Sequence, residues 1–153
     1  MGKLTKTLAG LAACAALASG SAVQADPIVS NAENIRKLNI MLMVTSLRCR
    51  SGEHDFQAEY QRFTTTHLAN LNRAGGHLRR DLQARLGAKG SKRALDRIGV
   101  GIANSYGDGH PWMDCAELKN AVTIVCEESG PQHLSVAASE LLAIEPGTKW
   151  AAR

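Results

Sequence analysis

The sequence predicts an all-α protein, a small bundle of about five helices pinned by one disulfide. Beyond residue 25, apolar residues recur at the three-and-four spacing of a buried helix face, whereas alternating Val- and Ile-rich runs are rare. Ala and Leu, which favour helices, are abundant in the chain. The 153 residues include only two Trp, two Tyr and two Phe, so the core must be aliphatic.

The first 25 residues have the layout of a secretory signal. Lys3 and Lys6 form a positive head, and residues 8–18 (LAGLAACAALA) form an uncharged apolar run. Val23 and Ala25 are small residues, placed three and one before the expected cleavage point. The apolar run is shorter than the roughly 20 residues that span a bilayer, so we expect the segment to be cleaved and not to stay in a membrane.

Cleavage would leave one domain in the periplasm or outside the cell. We predict a signal peptide over residues 1–25 and a single helical domain over residues 26–153, of which 148–153 form a loose tail. An alternative is a lipoprotein, because residues 11–14 (LAAC) fit a bacterial lipobox in which Cys14 would carry the lipid anchor. The later cleavage point favours the exported form without an anchor.

The first expected helix follows Ser30 and Asn31, which are good N-cap residues. Its apolar stripe consists of Ile35, Leu38, Leu42, Thr45 and Cys49. Further apolar residues, among them Met43 and Leu47, make this helix apolar nearly all round. Such a helix belongs in the middle of a bundle.

The second expected helix begins near residues 53–55 and keeps one apolar phase as far as Leu86. The apolar phase passes unbroken through Gly75 and Gly76. This predicts either one long helix, which could be kinked at the two glycines, or two helices in line. His67 lies on the apolar face and is expected to be a half-buried core histidine. His77 and His133 are expected at the surface.

Glycine and proline delimit the remaining helices. Residues 87–90 end the second helix, and a third begins at Ser91. A loop over residues 107–111 (GDGHP) precedes a fourth helix, and Gly130-Pro131 precedes a fifth, in which Leu134, Ala138, Leu141 and Leu142 are expected to be buried.

Three cysteines remain outside the signal, and an oxidising compartment favours a disulfide between two of them. Cys115 and Cys126 lie on one expected helix, roughly 16 Å apart at its rise per residue. A disulfide needs Cα atoms within about 7 Å, so an internal bridge must use Cys49. We predict Cys49–Cys115, because both residues lie at helix ends beside loops, and we expect Cys126 to be free and buried.

That bridge would bring two polar loops together. Their candidate site residues are Glu53, His54, Asp55, Asp108, His110, Trp112 and Asp114. Two histidines among carboxylates could bind a divalent metal or act as an acid/base pair. The structural alternative is that Asp55 and Asp114 cap helices and that Asp108 belongs to a glycine turn. The sequence assigns no catalytic residue, metal or cofactor.

The charge is unevenly distributed. The net charge of +4 falls by two when Lys3 and Lys6 are removed with the signal. Residues 62–97 hold nine basic side chains and two acidic ones, whereas residues 108–145 hold seven acidic side chains and one basic one, Lys119. The basic segment predicts a docking face for an anionic envelope polymer, lipid headgroups or an acidic protein. The alternative is two solvated helix faces that attract each other within the fold.

Motifs of the common catalytic and nucleotide-binding sites are absent from the sequence. It has no G-x-G-x-x-G, P-loop, H-E-x-x-H, C-x-x-C or G-x-S-x-G pattern. Nucleic acid is not an expected partner, because the chain is expected to be exported and the basic segment holds no Phe, Tyr or Trp beyond Phe63.

Three stretches resemble a group of short, exported, uncharacterised bacterial proteins. They are residues 39–50 (NIMLMVTSLRCR), 55–63 (DFQAEYQRF) and 94–119 (ALDRIGVGIANSYGDGHPWMDCAELK). Cys49 and Cys115 fall inside them and Cys126 does not. Some members carry an adenosylhomocysteine hydrolase label, but that enzyme needs an NAD-binding Rossmann domain that a helical chain of this length cannot contain. The resemblance therefore implies the helical, disulfide-pinned fold and no catalytic residues.

Two functions are consistent with these observations. The first is a non-enzymatic exported protein of the envelope that binds a protein or an anionic component, such as an inhibitor, an immunity-like factor or an accessory protein. The second is a small envelope hydrolase or metal-binding protein that uses the loops beside Cys49 and Cys115.

Overall fold

The computed structural model describes residues 26–143, and the regular secondary structure of this part consists of helices joined by turns and loops. Its six helices are α1 (Pro27–Ser30), α2 (Ala32–Cys49), α3 (Gln57–Thr66), α4 (Leu68–Ser105), α5 (Cys115–Val125) and α6 (Pro131–Leu142). The predicted all-α bundle with one disulfide is confirmed. The signal peptide, Cys14 and the tail over residues 148–153 lie outside the described residues.

Helix α2 lies at the centre and packs against each of the other five helices. The whole predicted stripe of this helix is buried, from Ile35 to Cys49. Met43 and Leu47, however, are 39% and 49% exposed. The expectation of a helix covered on all sides was therefore too broad, because α2 leaves one face open to solvent.

The long second helix of the prediction is interrupted at His67, and not at Gly75 or Gly76. The Thr64 and Thr65 hydroxyls both donate to the Gln61 carbonyl, each at 2.9 Å, and such side-chain bonds compete with the regular helical ladder. His67 itself has a φ of −102° and a ψ of 10°. The two glycines continue the helix without a break.

Helix α4 is a hairpin of two helical arms, residues 68–86 and 88–105, that reverses at Gly87. Gly87 has a φ of 70° and a ψ of 176°, a conformation open almost only to glycine. Leu78 and Leu82 of the first arm pack against Ala94 of the second in a small apolar cluster separate from the main core. The predicted break after Leu86 is thus confirmed, but the second arm begins at residue 88 and not at Ser91, because only Gly87 departs from helical geometry.

The main core is formed by the inner faces of α1, α2, α3, α5 and α6 together with the base of α4, by which we mean the parts of its two arms far from Gly87, around Ala74 and Ile102. The apolar face of α5 is buried in it from Leu118 to Val125, and so is the predicted face of α6 from Leu134 to Leu141, whereas Leu142 is only partly buried. Asn31 fixes the start of α2 on α6, since its side-chain amide donates to the Ser135 carbonyl at 2.7 Å. Within residues 26–143 no helix is both long and apolar enough to cross a membrane.

Candidate functional site

The predicted disulfide is present between Cys49, the last residue of α2, and Cys115, the first of α5. Their Cα atoms are 5.8 Å apart. Cys126 is the free and buried cysteine, as expected. Burial raises the pKa of the Cys126 thiol, so this group is not an activated nucleophile.

The disulfide does bring the two polar loops together. Lys119, one turn beyond Cys115, donates to the Asp55 backbone carbonyl at 2.9 Å. Across the bridge, Arg48 packs over Gly109: a Cβ on that glycine would lie 3.3 Å from the Arg48 Nε. The neighbourhood predicted from the cysteines therefore exists, and each loop is contacted there by a helix side chain, Lys119 of α5 or Arg48 of α2.

Two of the carboxylates that the sequence placed there, Asp55 and Asp114, accept from backbone amides at the starts of helices, and only Asp114 is the N-cap residue of its helix. The Asp55 Oδ1 accepts from the Gln57 amide at 2.9 Å. Asp114 caps α5 through a reciprocal pair, in which its side chain accepts from the Glu117 amide at 2.9 Å and Glu117 accepts from the Asp114 amide at 3.0 Å. These oxygen atoms are committed to backbone N–H groups.

His110 is also held in a turn. Its Nδ1 accepts from the amides of Trp112 and Met113 at 3.2 and 3.1 Å, and its ring stacks on Tyr106 with centroids 5.8 Å apart. Burial lowers the pKa of His110, and a backbone interaction with Leu141 opposes that shift. His110 therefore acts as a neutral acceptor that stabilises the loop.

The remaining candidates do not converge on a common ligand. Glu53, His54 and Asp108 are exposed, and Trp112 is 51% exposed. Among residues 26–143, no group of three or more His, Cys, Asp or Glu side chains is placed to hold a metal ion. The described loops thus support the capping interpretation of this region.

Two other histidines, His67 and His133, have partners within the fold. His67 is wholly buried, and not half-buried as expected; its Nε2 lies 3.0 Å from the Val125 carbonyl and its ring packs on Phe63. His133 and His77 are partly buried, and not surface residues; the His133 Nδ1 lies 3.4 Å from a Glu128 carboxylate oxygen.

The basic segment forms a second candidate site at the end of the α4 hairpin. We define the hairpin tip as residues 79–97. Its basic side chains are all exposed: Arg79, Arg80, Arg85, Lys89, Lys92, Arg93 and Arg97. Two carboxylates oppose them, and one of these, Asp81, pairs with Arg85 at 2.6 Å. The hairpin tip therefore carries a strong net positive charge.

The acidic end of the described chain does not neutralise the hairpin tip. Helix α4 packs on α1, α2 and α3, whereas α5 and α6 lie on other parts of the bundle. Within residues 26–143, no ion pair joins the hairpin tip to another element. The ion pairs that do link different elements lie outside the tip: Lys119 pairs with Glu59, and Arg73 pairs with Asp26. The alternative of two faces that attract each other within the fold is not supported.

A groove of about 240 Å³ lies between the two arms of the hairpin tip. It is lined mostly by apolar surface, and its lining residues are Arg79, Gln83, Ala88, Ser91, Lys92 and Leu95. Arg79 and Lys92 give it two cations, one from each arm. The arrangement suits an anionic group that has an apolar portion attached.

The hairpin tip also contains an apolar residue that was predicted to be buried and is exposed. Leu86 was expected on the buried stripe of the second helix, but it is 50% exposed at the residue before the turn. The available signal was its position next to Gly87, where the helix ends and no further turn of the arm can cover it.

The chain matches no protein-family model, and comparison with curated proteins and with solved structures gives no significant match.

Proposed function

We propose that this chain is an exported, non-enzymatic binding or accessory protein of the cell envelope, and that the hairpin tip is its docking face for an anionic partner. The observation that carries the proposal is the set of seven exposed cations on the hairpin tip, none of which pairs with another described element.

The placement of these cations favours docking over a purely structural role. Like charges on one element repel each other and cost stability, so an unneutralised cluster is expected where it serves association. The hairpin tip is held by its own small cluster of Leu78, Leu82 and Ala94, apart from the main core. No ion pair among the described residues joins its charges to the acidic residues of α5 and α6, so these charges are free to attract an anionic surface.

The disulfide is consistent with export, because such bonds persist in oxidising compartments. It joins the end of α2 to the start of α5, and α2 in turn packs along the base of α4. This connection supports the hairpin on a cross-linked bundle.

A charge-neutralised variant tests the proposal. We expect Arg79→Gln, Lys92→Gln and Arg93→Gln together to lower the affinity of the exported protein for a soluble polyanion, dextran sulfate, by at least about tenfold at low salt. Wild-type binding should weaken as salt is raised. The measurement is a titration followed by fluorescence or calorimetry.

The control removes the same number of charges elsewhere on the molecule. Lys37→Gln, Arg50→Gln and Arg62→Gln together should leave most of the affinity intact, because these residues lie outside the hairpin tip. An equal loss in both triple variants would contradict a localised docking face, as would the absence of any binding by the wild type.

A further inference from the structure

The apex of the hairpin exposes a large apolar side chain, Leu86, inside the most basic part of the chain. The chain reverses at Gly87, and the residues beside it, Ala84, Leu86 and Ala88, are exposed. A Cβ on Gly90 would lie 2.9 Å from the Leu86 Cβ, so the start of the second arm packs closely against Leu86, which is nevertheless 50% exposed. The outer part of this leucine faces solvent at the end of the hairpin.

The cations surround this apex and do not form a single row. Arg85 and Lys89 lie within one helical turn of Gly87, and the adjacent pair Lys92 and Arg93 lies further down the second arm. Consecutive helical residues point about 100° apart, so the positive charge covers more than one side of the hairpin. Such a distribution fits a broad anionic surface approached by the tip better than one narrow anionic strand.

We propose that the hairpin apex docks on a membrane surface that contains anionic lipids. Leu86 enters the boundary between headgroups and acyl chains, while the surrounding Lys and Arg side chains contact lipid phosphates. The inference rests on the proposed function, that the hairpin tip binds an anionic partner, and it names that partner as lipid.

The groove supports lipid over a purely polar polyanion. Arg79 and Lys92 supply the charges for a phosphate, and the Leu95 and Ala88 surfaces supply apolar contact next to them. A soluble polyanion offers nothing that would cover these apolar surfaces or Leu86. A lipid offers a phosphate and hydrocarbon in the same molecule.

The test compares two apolar residues of the same helix. Leu86→Ser removes the apical side chain, and Val100→Ser removes one that is 60% exposed but lies near the base of the second arm. The purified exported protein is mixed with vesicles of phosphatidylcholine alone or of phosphatidylcholine with phosphatidylglycerol, and binding is measured by co-sedimentation. Circular dichroism checks that both variants remain helical.

We expect the wild type to bind only the vesicles that contain phosphatidylglycerol, and less strongly at high salt. Leu86→Ser should lower this affinity by about fivefold or more, because the apolar side chain that would be buried in the membrane is removed. Val100→Ser should leave the affinity unchanged. Neither variant should change binding to dextran sulfate.

Two results would overturn the lipid assignment and leave the proposed function standing. One is binding to dextran sulfate without binding to the mixed vesicles, which would point to a soluble polyanion or an acidic protein. The other is equal vesicle binding by Leu86→Ser and the wild type, which would exclude insertion of the apex. Failure to bind either dextran sulfate or vesicles would overturn both proposals.

Discussion

Two histidines, His67 and His110, are held by backbone groups and not by other ionisable side chains. His67 Nε2 faces the Val125 carbonyl and His110 Nδ1 accepts from two loop amides. Burial lowers the pKa of both residues. Both side chains therefore have a structural role. Because their pKa values are lowered in the folded state, the stability of the protein should depend on pH.

We expect the free energy of unfolding to fall as the pH decreases through about 6.5, the ordinary pKa of histidine. Because the folded-state pKa of His67 lies below that value, the unfolded chain binds a proton first, and protonation favours unfolding. Each such group can contribute a slope of up to about 1.4 kcal/mol per pH unit between its unfolded and folded pKa values. Urea denaturation at a series of pH values measures it.

His67→Gln is the informative variant for this dependence, since its amide can still donate to the Val125 carbonyl but does not titrate. The slope below pH 6.5 should decrease in His67→Gln and retain the contribution of His110, whose pKa is lowered in the same direction. An unchanged slope would show that His67 does not couple protonation to folding.

At the scale of the secondary-structure element, α4 depends on a single glycine. A residue other than glycine at Gly87 would have to adopt a φ of 70° with a ψ of 176°. That backbone conformation costs a residue with a side chain on the order of 1–3 kcal/mol. The turn thus depends on the lack of a Cβ at one position.

Gly87→Ala is therefore expected to lower the free energy of unfolding by about 1–3 kcal/mol, because of the strain at the turn. Gly101→Ala, in the second arm, is the matched control: its Cβ would meet nothing within 4 Å. In a helix this change should stabilise the protein by about 0.5–1 kcal/mol. Chemical denaturation gives both values, and a neutral or stabilising Gly87→Ala would mean that the hairpin relaxes to another turn.

For the whole molecule, the disulfide is the largest single constraint outside the core. It joins residues that are 66 positions apart and encloses both α3 and α4. Cross-linking a loop of this length disfavours the unfolded ensemble by roughly 4 kcal/mol. That is a large fraction of the 5–15 kcal/mol typical of a folded domain.

We expect the double variant Cys49→Ala and Cys115→Ala to lose about 3–4 kcal/mol of unfolding free energy. Reducing agent should have a similar effect on the wild type and none on the double variant. Cys126→Ala is the control, for which the loss should be about 1 kcal/mol, because it removes one buried sulfur and no cross-link. Equal losses in the two variants would contradict a cross-linking role.

Local pattern and covalent geometry carried much of the prediction. Apolar spacing identified the buried faces of α2, α5 and α6, and the glycines after Leu86 located the hairpin turn. Distance along a helix excluded a Cys115–Cys126 bridge and left Cys49 as the required partner. These inferences succeeded because each depends on neighbours in the sequence.

The hydrogen-bond partners of the candidate loop site could not be predicted from local sequence pattern. The sequence correctly placed His54 and His110 in loops joined by the disulfide, but it could not show which backbone amides their neighbours would bond. In the structure, Asp114 caps α5, Asp55 accepts from the first amide of α3, and His110 holds a turn. These three side chains accept hydrogen bonds from nearby backbone N–H groups, so the atoms that would bind a metal or a substrate are already occupied.

The residue pattern was sufficient to predict the helical class, the disulfide pair and the concentration of positive charge in one segment. The packed fold was needed to establish where α3 ends, that Leu86 is exposed and that the cations of the hairpin tip lack partners among the other described elements. The physical reason is that periodicity identifies one face of a helix, whereas burial and ion pairing depend on which other element lies opposite that face.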